Sequence, residues 1–177
     1  KKSKRSTKTF LQYFGPTKYS AKNWYLGSDV TGRNMAQKFK ANGKSYIHIG
    51  LEWLAPDYAI EFAQKVITNN PTTPVIITTH SHLNPGNPAE LVPNFDGSNS
   101  IDYSGHNNSQ QLYSKLVEPF PQVFMVLSGH VLGDGFLQTK TYLGQNVTQI
   151  LSNYAKDPKG GNGWLKLLKF NPDSSEL

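Results

Sequence analysis

The chain has 177 residues, 37% of them hydrophobic and 12% aromatic, which suffices for a core and argues against wholesale disorder. It contains no cysteine, so disulfide scaffolds, thiol nucleophiles and cysteine-ligated zinc are excluded. No apolar run approaches the ~20 residues that a membrane helix requires, so no membrane span is expected.

A net charge of +6 points first to nucleic acid, but Lys1, Lys2, Lys4, Arg5 and Lys8 carry five of those surplus charges and leave a body of +1. No basic stripe interleaved with aromatics runs through the rest, so nucleic acid is not expected as a specific partner. Residues 1–9 read as a solvated basic tail or linker. They do not read as a signal peptide, because no apolar segment of 7–15 residues follows. With no initiator Met, the chain reads as a processed product or as a piece of something longer.

Residues 10–32 set Tyr13, Phe14, Tyr19, Trp24 and Tyr25 among Gly, Pro and Ser, the pattern of a short helical turn and then a loop packing its rings on the body. Two runs, 36–41 and 44–51, flank Asn42-Gly43. A two-residue type I′ turn needs positive φ at both central positions, and Asn-Gly supplies it, so these runs form a β-hairpin. Gly43-Lys44-Ser45 is therefore a turn and not a phosphate loop, since position 38 is Lys where that motif requires Gly.

From Asp57 the apolar residues Tyr58, Phe62 and Val66, with Ala59, Ala63 and Ile67 beside them, recur at helical spacing, and Asn69-Asn70-Pro71 closes the run. A helix over 57–69 leads into a continuous β-branched strand at 74–79, the composition of a strand buried on both faces. A long loop at 81–109, rich in Asn and Ser, is of a kind that is often functional or mobile. A second helix at 109–118 then feeds a second buried strand at 122–127. Beyond residue 134 the pattern is one of antiparallel strands, at 136–142, 147–154 and 164–170. Helix–strand–helix–strand implies adjacent parallel strands with right-handed crossovers, in a mixed α/β layered domain.

Each buried strand runs into a histidine, His80 and His130. Ligands in open α/β sheets bind outside the carboxyl ends of the strands, and two neighbouring tips would set these imidazoles within reach of one ion. The competing reading is a pair of hydrogen-bonded histidines with no metal. His48 sits within an alternating strand and reads as a strand-face side chain. His82, two residues past His80 on the loop, reads as a surface histidine, with contact to substrate or proton transfer as the alternative. His106 receives no role. Neither Gly-x-Ser-x-Gly nor His-Glu-x-x-His occurs, which weakens serine hydrolase and zincin readings. Asn107-Asn-Ser and Asn146-Val-Thr match the glycosylation tripeptide, in a chain with fifteen Asn.

Thr79-His80-Ser81-His82-Leu83 and Ser128-Gly129-His130-Val131 resemble two successive motifs of the calcineurin-like metallophosphoesterases. The flanks agree: Tyr13-Phe14-Gly15-Pro16, Trp24-Tyr25, Leu51-Glu52, Gly133-Asp134-Gly135 and Gly161-Asn-Gly-Trp-Leu165 resemble bacterial members, so the likeness extends over about residues 10–170. It implies an α/β/β/α sandwich carrying a two-metal centre of Mn, Fe or Zn that hydrolyses a phosphoester. His80 and His130 are then metal ligands. The family's earlier motifs, an Asp-x-His, a bridging Asp and an Asn-His, are not found, so residues 10–177 resemble the C-terminal half of such a domain. Leu132 stands where the family has its last histidine, and Asp134 is the nearest substitute, although its place between two glycines suits a turn. The resemblance further implies a fragment that is inactive alone, an exposed sheet face awaiting a missing half or an oligomeric partner, and a location outside the cytoplasm. The alternative is a non-catalytic binding or cell-surface adaptor module that kept the scaffold.

Overall fold

The computed structural model describes residues 6–85 and 105–170. Seven strands form one mixed sheet. In chain order they are β1 (Tyr25–Ser28), β2 (Met35–Ala41), β3 (Lys44–Leu51), β4 (Val75–Thr79), β5 (Val123–Ser128), β6 (Gly133–Lys140) and β7 (Asn146–Asn153). Across the sheet the order is β1-β2-β3-β4-β5-β7-β6. The strands β3, β4, β5 and β7 are mutually parallel, and antiparallel pairs close both edges. The long loop expected at 81–109 lies mostly outside the described residues.

The hairpin forms as its turn residues dictate. Asn42 and Gly43 take φ of 53° and 78°, and Ala41 pairs with Lys44. Helix α1 (Lys8–Phe14) starts two residues inside the expected basic tail. Helix α2 (Asp57–Thr68) follows the predicted stripe and buries Ala59, Ile60, Ala63, Val66 and Ile67. Helix α3 (Ser109–Leu112) opens on a reciprocal cap: Asn108 accepts from the Gln111 amide, and the Gln111 side chain accepts from the Asn108 amide. One wide turn at Tyr113–Val117 extends it, so the predicted second helix is real but unwinds slightly over its second half.

Alternation along the strands splits the sheet into two unlike faces. On one face Ile47, Ile49, Val75, Ile77, Val123, Val126 and Val147 pack with the apolar residues of α2 and α3 into the main core. The other face holds a smaller cluster of Ile76, Met125 and Ile150, edged by Phe39, Phe124, Leu127 and Phe170. Helix α1 lies over part of this second face, where Phe10 and Phe14 line a cavity with His48 and Thr78, and Phe136 on β6 stays 66% exposed.

Three expectations change. Residues 25–28, read as loop, pair with β2 as a short edge strand. The final run is not a set of antiparallel neighbours: β7 pairs antiparallel with β6 but inserts between it and β5, parallel to β5. Residues 164–170 form no strand. Trp164, Leu165 and Leu167 are exposed, while the Phe170 ring lies against Tyr46 and Phe39 at 5.0 and 6.1 Å.

Candidate metal centre

Four parallel strands end on the same side of the sheet, and each delivers a polar or aromatic residue there: Trp53 just past β3, His80 past β4, His130 past β5 and Asn153 at the end of β7. The two imidazoles converge. Their ring centroids are 4.7 Å apart with planes inclined at 54°, and both side chains are solvent-exposed. Trp53 stands beside them, its ring 5.7 Å from that of His130 and 6.1 Å from that of His80.

The backbone fixes this approach. The amide of Gly129 donates to the carbonyl of His80 at 3.1 Å, which ties the two strand tips together. The amide of Val131 donates to the carbonyl of Gly129 at 2.8 Å, so the chain makes a three-residue turn about His130, whose φ is +62°. A γ-turn of this hand is rare and strained, and a residue other than glycine held there is stabilised by its surroundings. Asn153 supplies part of that support by donating its side-chain amide to the His130 carbonyl at 2.6 Å.

A second polar network positions the end of β3. The buried Asn34 side chain donates to Asp29 at 2.8 Å and to Glu52 at 2.9 Å, and its oxygen accepts from the Glu52 amide at 2.7 Å. Arg33 pairs with Glu52 at 3.2 Å and donates to the Tyr58 hydroxyl at 2.8 Å. Buried polar groups this thoroughly paired hold a backbone in one place. The result is to lock the β1–β2 loop onto the segment that carries Trp53.

The other named histidines lie elsewhere. His82 is not on the surface: it is fully buried, and its Nε2–H donates to the side-chain oxygen of Gln149 on β7 at 2.5 Å. Burial drives its pKa down to about 4, against which the Gln149 bond works. A neutral, enclosed imidazole suits neither substrate contact nor exchange with solvent, so the proton-transfer role expected for His82 has no support in its placement. His48 is a strand-face residue as read, bonded to Gln37 and Thr78. His106 forms an isolated bridge with Pro56.

Asp134 is the second residue of β6, paired with Ser152, and is not a turn residue. It accepts from Tyr154 at 2.9 Å and from Lys166 at 2.8 Å, and the Lys166 ammonium holds its carboxyl below the usual range. It is thus engaged away from the histidine pair. Asn107 is 3% exposed and donates its amide to Ala55 and Asp57, which leaves no room for a glycan, whereas Asn146 is exposed.

Two imidazoles with converging rings fit half of a coordination set for a borderline cation. Among the described residues, no group of three or more His, Asp or Glu side chains could hold an ion. Trp53 and Asn153 were missed by the sequence reading. The rule that singled out His80 and His130 would have found Trp53 had it been applied to the end of the hairpin's second strand. Asn153 was out of reach, because nothing local marks β7 as a fourth parallel strand.

No protein-family model matches the chain. Over 94% of its length it is 28% identical to the uncharacterized protein YvnB of Bacillus subtilis (strain 168), and it spans 12% of the length of that relative.

Proposed function

We propose that this chain is part of a metal-dependent phosphoester hydrolase of the calcineurin-like kind, with His80 and His130 as two ligands of one divalent ion. The observation that carries the reading is the 4.7 Å approach of the two rings at the tips of adjacent parallel strands. A strained backbone at His130, held by Asn153, adds to it, because strain of this sort gathers at functional sites. A bound cation would act as a Lewis acid and lower the pKa of a coordinated water. The chain's own part is to hold the imidazoles apart from the core and to set Trp53 as a wall beside them. In this reading the remaining ligands, and any nucleophile-positioning group, would be supplied by the family's earlier motifs, which are not found in this sequence.

The protein by itself is then expected to bind one Mn, Fe or Zn ion weakly and to show no meaningful turnover. Calorimetric titration with zinc or manganese should give a single site. His80→Ala or His130→Ala should weaken it by more than the roughly tenfold that loss of an outer-sphere partner typically costs. Appreciable hydrolysis of bis-p-nitrophenyl phosphate by the 177-residue chain would overturn the prediction of inactivity. Metal affinity unchanged in both variants would remove the site itself.

A second reading, a non-catalytic binding module on the same scaffold, is favoured by Leu132, which offers no lone pair where a third histidine would stand. Failure of the wild-type protein to bind any of the three metals at millimolar concentration would select it.

A further inference from the structure

Beside the strand tips, on the sheet face opposite α2 and α3, lies a cavity of about 840 Å³, within the range of small-molecule sites. Its walls are aromatic: Phe10 and Phe14 from α1, Trp24 before β1, and Trp53 at the end that adjoins the histidine pair. Phe10, Phe14 and Trp24 are 42%, 54% and 37% exposed, so the rings present their surfaces to the cavity and solvent and are not consumed by the core.

The floor is polar in a specific way. Gln37 donates its amide to Nδ1 of His48 at 3.0 Å, so Nε2 carries the ring proton and donates to the Thr78 hydroxyl at 2.8 Å. Burial lowers the His48 pKa, which favours the uncharged ring. The Gln37 carbonyl and the Thr78 hydroxyl proton are left over as one acceptor and one donor. The hydroxyl of Tyr25, also in the cavity wall, is buried with no hydrogen-bond partner among the described residues, an arrangement that a ligand atom would relieve. The charged side chains of the wall, Arg33 and Glu52, neutralise each other.

We infer that this cavity binds an uncharged planar heteroaromatic ring, of which a nucleobase is the type. Flat rings stack on aromatic walls, and a heterocycle edge complements one acceptor beside one donor. A sugar would need a denser set of polar groups than this floor offers, and an acyl chain would leave the floor unpaired. The inference rests on the phosphoesterase reading in one respect only: with Trp53 as the partition, the ring would be the organic part of an ester whose phosphorus lies on the histidine side. Ring binding itself is independent of the metal.

The test is quenching of tryptophan fluorescence in the 177-residue protein titrated with adenosine, guanosine, cytidine and uridine, and with ribose, maltose and octanoate. Saturable binding of at least one nucleoside is expected, with none for the other three. Trp24→Ala and Gln37→Leu, both at exposed positions, should each weaken nucleoside binding about tenfold. His80→Ala should leave it unchanged while weakening metal binding, which separates failure of this inference from failure of the metal site. No nucleoside binding, preferential binding of maltose or octanoate, or nucleoside affinity unaltered in both cavity variants would overturn it.

Discussion

On the face that α2 and α3 cover, β3 and β4 contribute Ile47, Ile49, Val75 and Ile77, each with no exposed surface. On the opposite face the same two strands contribute Tyr46, His48, Ile76 and Thr78, which pair with one another's neighbours through rings and hydrogen bonds and leave the aromatic cavity open. One pair of strands thus serves two purposes because its side chains alternate. The inward set excludes water and holds the sheet, and the outward set keeps donors, acceptors and rings available.

The contrast can be broken most directly by truncation. Ile77→Ala should cost about 2–5 kcal/mol in urea unfolding, since a closed core relaxes little around the cavity created. Phe136→Ala on the open face should change stability by no more than about 0.5 kcal/mol. Equal losses would mean that the open face is as fully packed as the covered one.

A second test concerns His82, a fully buried polar residue bonded to Gln149. Its pKa is depressed to about 4 when folded, against an ordinary value of 6.5. Between those values the unfolded chain binds a proton that the folded chain refuses, so stability rises with pH. The contribution is fully present above pH 6.5, falls as the pH drops toward 4, and amounts to about 3 kcal/mol over the window. His82→Gln should flatten that slope in unfolding curves measured from pH 7 to pH 4. A slope that survives the substitution would assign the effect elsewhere.

The smallest effect sharpens the view of the strand tips. At φ of +62° His130 pays for its left-handed backbone, and glycine does not. His130→Gly should therefore be about 1 kcal/mol more stable than His130→Ala, although both lose the metal ligand. Equal stability of the two variants would show that the turn carries no strain.

The local signals were legible. Asn42-Gly43 dictates its hairpin through positive φ, the stripe from Tyr58 to Ile67 marks α2, and the β-branched runs mark β4 and β5, because each depends on spacing within a single segment. The two histidines were found for the same reason, as residues just past recognisable strands. Long-range pairing lay beyond such reasoning. Nothing near residue 150 announces that β7 enters between β5 and β6, yet that insertion brings Asn153 to His130 and sets Gln149 beneath His82, turning an expected surface histidine into a buried one. Trp53, β1 and the unpaired 164–170 segment likewise follow from what the sheet has room to pair and cover. The sequence by itself determined which segments become strands and helices, and which residues stand at their ends. The tertiary structure alone decided which ends meet, because strand order is chosen by burial and hydrogen bonding between segments that lie far apart in the chain.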